Sequence, residues 1–160
     1  METIANVGNM DARVSAVEWT SELIRLEIAL WERVNARLQE SHELPLAFFE
    51  PLHLISRARG DSMRVGDLAR GLRITVGGTS KLVDRIERTG LIAREADPED
   101  RRASRVKLTT AGKRRLAAAL KSYEAEAASI LGSVLSPDEQ RQMSDYVSRL
   151  LTSIDQAEPR

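Results

Sequence analysis

The chain carries one stretch in which glycines, hydroxyl groups and a lysine stand side by side. Residues 74–90 read ITVGGTSKLVDRIERTG, so Gly77-Gly78 lead directly into Thr79-Ser80-Lys81. Such a run can cradle the phosphates of a nucleotide, because glycine amides and a lysine both bind phosphate oxygens. It can also begin a helix that lies close against a large anion. The residues around the stretch distinguish these two kinds of site.

Order and context argue against the nucleotide loop. A loop of that kind ends in Gly-Lys-Ser/Thr and connects a buried strand to a helix. Here the order is Gly-Gly-Thr-Ser-Lys, and the apolar spacing of the preceding residues predicts a short helix at 63–72. The chain also lacks the apolar runs that are typical of buried parallel strands. The stretch is therefore not predicted to bind a nucleotide.

The remaining interpretation is a helix, predicted at 76–89, that reads DNA. Thr75 is placed to cap its start and Gly90 is placed at its C′ position. The apolar residues would face the core and the basic residues would face outward: Leu82, Val83 and Ile86 against Lys81, Arg85 and Arg88. An ordinary surface helix does not explain two first-turn glycines, since each costs about 1 kcal/mol relative to alanine. Close approach to a DNA backbone explains them.

A second basic feature follows the predicted helix. Short strands are predicted at 91–95 and 104–109, joined by a polar loop that contains Pro98 and ends in Arg101-Arg102. Arginines at a hairpin tip can enter a minor groove and follow its negative potential. Neighbouring carboxylates, Asp97, Glu99 and Asp100, could aim them through charge-assisted hydrogen bonds. The alternative is a charged turn that only contacts solvent.

Charge is unevenly distributed along the chain, although the net charge is zero. Residues 57–115 hold 16 basic and 8 acidic side chains, whereas the rest of the chain holds 8 basic and 16 acidic ones. A basic centre between acidic ends indicates that the centre meets a polyanion and that the ends have another role.

Composition limits the other possibilities. The 160 residues are 42% apolar and 30% charged, which is typical of a soluble globular protein, and the length suits one domain or one compact lobe with a dimerisation arm. Cysteine is absent, which excludes disulfides, thiolate metal sites and thiol chemistry. No apolar run approaches the length of a transmembrane helix and no export signal is evident, so a cytoplasmic location is expected.

Helical periodicity predicts the elements on either side of the basic centre. A helix at 14–39 is apolar over so wide an arc that a second subunit is expected to cover it. A helix at 46–58 contains Pro51, which removes one backbone hydrogen bond and should bend the axis. Helices are also predicted at 111–131 and from Ser136 onward, the last one starting with the capping pattern Ser-Pro-Asp-Glu.

Several of these segments together resemble the MarR (multiple antibiotic resistance regulator) family. The resemblance covers roughly residues 17–155 and rests on these motifs: Leu68-Ala69, Asp84-Arg85-Ile86-Glu87-Arg88-Thr89-Gly90-Leu91-Ile92, Arg94, Asp97-Pro98-Glu99-Asp100-Arg101-Arg102-Ala103 and Val106-Lys107-Leu108-Thr109-Thr110-Ala111-Gly112. Pro51 departs from the family pattern, and the missing cysteines set the chain apart from the peroxide-sensing branch.

The resemblance implies a mainly α fold with a small β part: a winged helix-turn-helix with N- and C-terminal dimerisation helices. It divides the chain into a flexible stretch at 1–13, dimerisation helices at 14–44 and 111–156, and a DNA-binding region at 45–110. The homodimer would bind pseudo-palindromic operators on double-stranded DNA, as a repressor released by a small aromatic or anionic ligand.

The same resemblance implies which residues meet DNA. The major groove would be read by residues at the start of the 76–89 helix and by one arginine further along: Thr75, Val76, Gly77, Gly78, Thr79, Ser80, Lys81 and Arg85. Arg101 and Arg102 would enter the minor groove, with Asp100 orienting them.

Candidate effector residues carry stacking, anion-pairing or hydrogen-bonding chemistry: Trp19, Arg25, Trp31, His42 and His53. Trp31 lies on a mostly aliphatic stripe, where a tryptophan is more often a core residue than a ligand contact, and Arg25 could pair with Glu22 instead of a ligand. The two histidines lie eleven residues apart without a third ligand in metal spacing, so neither a metal site nor a cofactor is predicted.

Two rival functions stay open beside the regulator. An enzyme is disfavoured, because the chain shows no Ser–His–acid arrangement, no metal triad and no glycine-rich loop after a strand. A winged-helix module that binds proteins would carry a neutral surface, which the basic centre contradicts. A regulator without any small-molecule effector is the other alternative.

Overall fold

The computed structural model describes residues 15–97, 100 and 103–157 of the chain. It divides into two compact units, Met1–Arg33 and Val34–Arg160. The stretch 1–13, predicted to be flexible, lies outside the described residues. Within the described ranges, six helices and one small sheet follow one another in the predicted order, with one additional short strand.

Helix α1, Ala16–His42, spans both units and confirms the first predicted helix. In the first unit its apolar side chains are largely exposed to solvent: Val17, Trp19, Ile24, Leu26, Ile28 and Trp31. In the second unit α1 contributes Val34 and Leu38 to the core, where both are buried. Trp31, for which a core position was the favoured prediction, is instead 42% exposed in the single chain.

Helix α2, Leu46–Arg57, is the most apolar helix of the second unit's core. Its start is fixed from outside, because the Leu46 amide donates to Asn35 Oδ1 at 2.9 Å. Leu52 and Ile55 are completely buried against the helices and the sheet around them. Pro51 is also buried inside α2, and the helix continues through it at the cost of one backbone hydrogen bond.

The predicted helix at 63–72 is wrong in its first two residues. Residues 62–64 form strand β1, Ser62–Arg64, after a single 3-10 turn at Arg59–Asp61, and helix α3 is Val65–Leu72. Met63 pairs with Val106 of the hairpin, and this long-range pairing overrides the local helical periodicity. A strand of three residues is too short to show an alternating pattern in the sequence.

Helix α4, Val76–Glu87, follows a tight turn in which Arg73 takes the left-handed conformation (φ 55°). The predicted cap is confirmed, since Thr75 Oγ1 accepts from the Gly78 amide at 3.1 Å. The helix ends two residues before the predicted Thr89. Gly90 then adopts φ 74°, a conformation that glycine takes without strain, and the chain turns into the sheet.

The sheet is antiparallel with the strand order β1–β3–β2. Strands β2, Ile92–Ala96, and β3, Ser104–Leu108, form the predicted hairpin, with Ile92 opposite Leu108. Val106 is completely buried, so one face of the sheet covers the core.

Helix α5, Thr110–Gly132, is held against the end of the hairpin by the Leu-Thr-x-x-Gly motif of residues 108–112. Thr109 caps the helix by accepting from the Gly112 amide at 3.0 Å, and its hydroxyl donates to the Gly90 carbonyl at 2.7 Å. A side chain on Gly112 would collide with the backbone of Leu91, where a Cβ would lie 1.9 Å from the carbonyl oxygen. The motif therefore fastens α5 to the turn that ends α4.

Helix α6, Pro137–Ala157, begins with the predicted capping box. The Ser136 amide and hydroxyl both donate to Glu139 Oε2, at 2.8 and 2.7 Å, and these hydrogen bonds lower the pKa of the Glu139 carboxyl. Its large apolar side chains are exposed: Tyr146, Val147, Leu150, Leu151 and Ile154. Among the helices in the described ranges, none combines the length and the apolar character that crossing a bilayer requires.

Candidate nucleic-acid interface

The N-terminal end of α4 is an open surface. Thr75, Val76, Gly77 and Gly78 are all exposed, and Val76 is 57% accessible. The first amides of a helix have no intrahelical acceptor and carry the positive end of the helix dipole. Here the Thr75 cap satisfies the Gly78 amide, which leaves the amides of Val76 and Gly77 directed outward. This geometry suits an anion.

The two glycines of the first turn differ in their surroundings. A Cβ built on Gly77 would meet nothing within 4 Å, so the space beside it is open. A Cβ on Gly78 would lie 3.2 Å from Thr75 Oγ1, the atom that caps the helix. The predicted clearance therefore belongs to Gly77, whereas Gly78 also accommodates the cap.

Thr79 requires a correction. It was predicted to meet DNA, but its side chain is completely buried and its hydroxyl donates to the Thr75 carbonyl at 3.0 Å. One turn of helix places it beside Val83 on the core side, so it has no surface to offer a ligand. Ser80, the next residue, is half-buried at the edge of the exposed face.

The outward face of α4 is basic, as the periodicity predicted. Lys81 and Arg88 are exposed, and within the described part of the chain neither side chain forms an ion pair or a hydrogen bond. Arg85 is exposed as well, and its guanidinium lies 5.4 Å from the centroid of the partly buried Phe48 ring. Val83 and Ile86 are completely buried on the opposite face, and Leu82 is partly buried.

Basic residues before α4 are partly neutralised. The Arg70 guanidinium pairs with Asp67 one turn away in α3. Arg73, in the turn between α3 and α4, pairs with Asp155 of α6. The positive charges of these two arginines are therefore partly compensated by carboxylates of the protein, unlike those of Lys81 and Arg88.

Strand β2 is joined to α4 through Arg94. Its guanidinium donates to Asp84 Oδ1 at 2.5 Å and lies 3.5 Å from Glu87 Oε2, while its backbone amide donates to Glu87 Oε1 at 2.9 Å. The sequence motifs contained all three residues, but their spacing alone did not reveal that they meet.

The base of the hairpin loop is organised by Asp97, whose side chain is fully buried. Asp97 Oδ2 accepts from Arg64 Nε at 2.6 Å, and Oδ1 accepts from the Asp100 amide at 3.1 Å. Arg105 of β3 approaches the same carboxylate at 3.4 Å. Sequence reasoning assigned Asp97 only to the aiming of arginines and missed Arg64 and Arg105, because their meeting depends on the unpredicted strand β1.

The predicted minor-groove residues Arg101 and Arg102 lie outside the described residues, so their orientation by Asp100 stays a prediction. Asp100 itself is exposed at the end of the loop.

The candidate effector residues fall into separate groups. Trp19, Arg25 and Trp31 are exposed on the part of α1 that belongs to the first unit. In the second unit, His42 Nε2 lies 2.8 Å from Ser122 Oγ. His53 instead stacks on the Phe49 ring, with centroids 5.8 Å apart. The two histidines thus have different partners.

A cluster of half-buried polar groups lies between α2 and α5. The Phe49 ring stacks on the Tyr123 ring with centroids 5.1 Å apart. Burial raises the pKa of the Glu50 carboxyl, and the nearby His53 lowers it in part. Burial and the Glu50 charge both raise the pKa of the Tyr123 hydroxyl. Across the described residues, no group of three or more His, Asp or Glu side chains has the geometry to hold a metal ion.

Comparison with known proteins places this arrangement in a family. The MarR family profile matches residues 51–103, which hold β1, α3, α4 and β2 and end just before β3. The transcriptional regulator HosA of Escherichia coli O111:H- is 31% identical over 126 residues, covering 78% of this chain and 90% of HosA.

Two further proteins are similar. An uncharacterized HTH-type transcriptional regulator of Bacillus subtilis (strain 168), YcgE, is 39% identical over 102 residues, 60% of this chain and 66% of YcgE. The chain thus matches slightly less than two thirds of that relative's length. The structure of Sco3205, a MarR family transcriptional regulator from Streptomyces coelicolor, in complex with DNA, superposes with a TM-score of 0.76 at 23% identity, covering 85% of this chain and 84% of Sco3205.

The extent of the match to HosA, the family profile across the basic centre and the shared winged-helix fold agree with one another. The chain belongs to the MarR family of transcriptional regulators.

Proposed function

We propose that this protein binds double-stranded DNA through the exposed end of α4 and the hairpin, and that it represses transcription from pseudo-palindromic operators as a homodimer. The observation that carries the proposal is the open space at Gly77, next to outward-directed amides and the unpaired cation of Lys81 within the described part of the chain. Free amides, a helix dipole and a lysine are the groups that bind DNA phosphates.

The proposed contact set is the predicted one without Thr79. On α4 and its cap it comprises Thr75, Val76, Gly77, Gly78, Ser80, Lys81 and Arg85. On the hairpin it comprises Arg101 and Arg102 in the minor groove, oriented by Asp100. Sco3205, which shares the fold, was solved in complex with DNA, and this supports a DNA-binding role for the present chain.

The proposed dimer follows from apolar surface that the single chain leaves exposed. Both α1 and α6 carry several large apolar side chains that are 40% exposed or more, among them Ile28 and Leu150. A stripe of exposed large apolar side chains along a helix is typical of a surface that packs against another protein. We therefore assign residues 14–44 and 111–156 to dimerisation and 45–110 to DNA binding, in line with the family architecture.

A gel shift on the DNA upstream of the protein's own gene tests the proposal. We expect a discrete complex that contains two protein chains and resists unrelated competitor DNA. Lys81→Ala should weaken this complex, while Lys121→Ala, which removes an exposed lysine from α5, should not. Equal binding to all sequences, or equal effects of the two substitutions, would contradict the assignment.

The second part of the proposal is an effector that releases the DNA; a regulator without an effector is the alternative. A small aromatic or anionic molecule could stack on Trp19 or Trp31 and pair with Arg25, all of which are accessible on α1. The chain has only these two tryptophans, so tryptophan fluorescence reports on α1 alone. Titration with benzoate and phenol as probes should quench it if this site binds; unchanged emission would place any site elsewhere.

A further inference from the structure

The Arg94 side chain joins the hairpin to α4 through several contacts. Its guanidinium reaches Asp84 Oδ1 at 2.5 Å and the Ser80 carbonyl at 3.4 Å, and it approaches Glu87 at 3.5 Å. On the sheet side the same guanidinium donates to Ser104 Oγ at 3.3 Å, which holds it in place across the hairpin.

The contacted residues lie on one side of α4. Ser80, Asp84 and Glu87 are spaced by four and three residues, so they form a stripe along two turns of the helix. Contacts spread along such a stripe resist both rotation of the helix about its axis and sliding along it. The buried side chains Val83 and Ile86 resist separation, but apolar packing is not directional and fixes the rotation less tightly.

The Arg94 charge is used within the protein. Its side chain is 31% exposed and faces two carboxylates, so it has little to offer a phosphate. Charge-assisted hydrogen bonds of this kind are stronger and more directional than neutral ones. Arg94 therefore has the properties of a residue that orients another element.

We propose that Arg94 is a positioning residue for DNA recognition: through Asp84 and Glu87 it sets the rotation of α4, and thereby the direction in which Gly77 and Lys81 face. This rests on the proposed DNA-binding function.

Replacing Asp84 by asparagine separates positioning from simple charge. Asp84→Asn removes one negative charge near the proposed DNA surface, so electrostatics alone would tighten binding. Loss of its bond to Arg94 should instead weaken binding about tenfold. Asp67→Asn is the matched control, because Asp67 is 45% exposed against 47% for Asp84 and also pairs with an arginine, but only within α3. We expect the control to bind DNA equally or more tightly. Tighter binding by both variants would overturn the proposal.

Salt dependence supplies a second readout. Arg94→Gln should lower affinity without changing the slope of log Kd against log salt, because no phosphate contact is lost. Lys81→Ala should reduce that slope by about one. A reduced slope for Arg94→Gln would make Arg94 a phosphate contact and contradict the positioning role.

Amide hydrogen exchange without DNA tests the same idea independently of the proposed function. Arg94→Gln should speed exchange in α4 while leaving α5 unchanged, and this comparison holds even if the wild-type protein binds no operator. Uniformly faster exchange in both helices would show a general loss of stability, and unchanged exchange in α4 would show that Arg94 does not hold it; either result rejects the proposal.

Discussion

Gly77 is the residue at which stability and proposed function oppose each other. A first-turn glycine lowers helix stability, yet no neighbour within the structure requires one there, since a Cβ would enter open space. Because the protein's own packing does not require glycine at this position, we infer that the close approach of a ligand does.

Gly77→Ala should therefore stabilise the protein and weaken DNA binding. We expect the free energy of unfolding to rise by up to about 1 kcal/mol, the helix preference of alanine over glycine. DNA affinity should fall, because the new methyl group stands between the helix and the duplex. Urea denaturation and fluorescence anisotropy measure the two effects. Unchanged DNA affinity would show that the clearance has no role in binding.

Glu50 gives the fold a pH dependence of known sign. Burial raises the pKa of its carboxyl in the folded protein, so the folded state binds the proton more tightly than the unfolded state does. The stability from this group is fully present below the unfolded pKa and is lost as pH rises through the folded pKa. Glu50→Gln should therefore stabilise the protein more at about pH 7 than at about pH 4, as measured by urea denaturation. An equal effect at both pH values would contradict this.

At the scale of elements, helix ends were predictable and long-range pairing was not. The caps Thr75, Thr109 and Ser136 each form hydrogen bonds with the amide three residues later. Thr75 and Ser136 were predicted as caps, because capping depends only on the residue types within a few adjacent positions. Strand β1 was missed, because it exists only through pairing with β3, which lies over forty residues away.

The junction between α5 and the hairpin depends on Gly112. Gly112→Ala should destabilise the protein by several kcal/mol, about 3 or more, because the methyl group would overlap the backbone of Leu91. Gly132→Ala is the control within the same helix, since a Cβ there meets nothing within 4 Å. Differential scanning calorimetry should show a lower Tm for the first variant only; similar Tm values for the two would show that the contact with Leu91 is relaxed in solution.

At the scale of the molecule, positive charge and exposed apolar surface lie on different segments: the basic centre is proposed to bind DNA, and the apolar faces of α1 and α6 are proposed to form the dimer. The basic excess of residues 57–115 was visible in the sequence, and the outward face of α4 confirms that Lys81 and Arg88 are available. The wide apolar arc of α1 was also predicted. The network of Asp97 with Arg64 and Arg105 was not predicted, because Arg64 lies 33 residues before Asp97 and strand β1, which carries Arg64, forms only by pairing with β3.

The exposed apolar face of α6 predicts how the dimer responds to substitution. Leu150→Arg places a charge among apolar side chains, including Leu151 and Ile154, and should shift the protein toward monomers with weaker operator binding. Val134→Arg is the control, because Val134 is 80% exposed at the turn between α5 and α6. Light scattering after size exclusion gives the mass. A monomeric wild type, or a dimeric Leu150→Arg variant, would contradict the proposed interface.

The salt dependence of DNA binding tests the central claim most directly. Fluorescence anisotropy on a duplex from the protein's own upstream region should show affinity falling about a thousandfold or more between roughly 50 and 200 mM salt, as expected for six or more phosphate contacts. Lys81→Ala and Arg88→Ala should each make the slope shallower. A flat salt response, or a slope that neither substitution changes, would contradict DNA binding through α4.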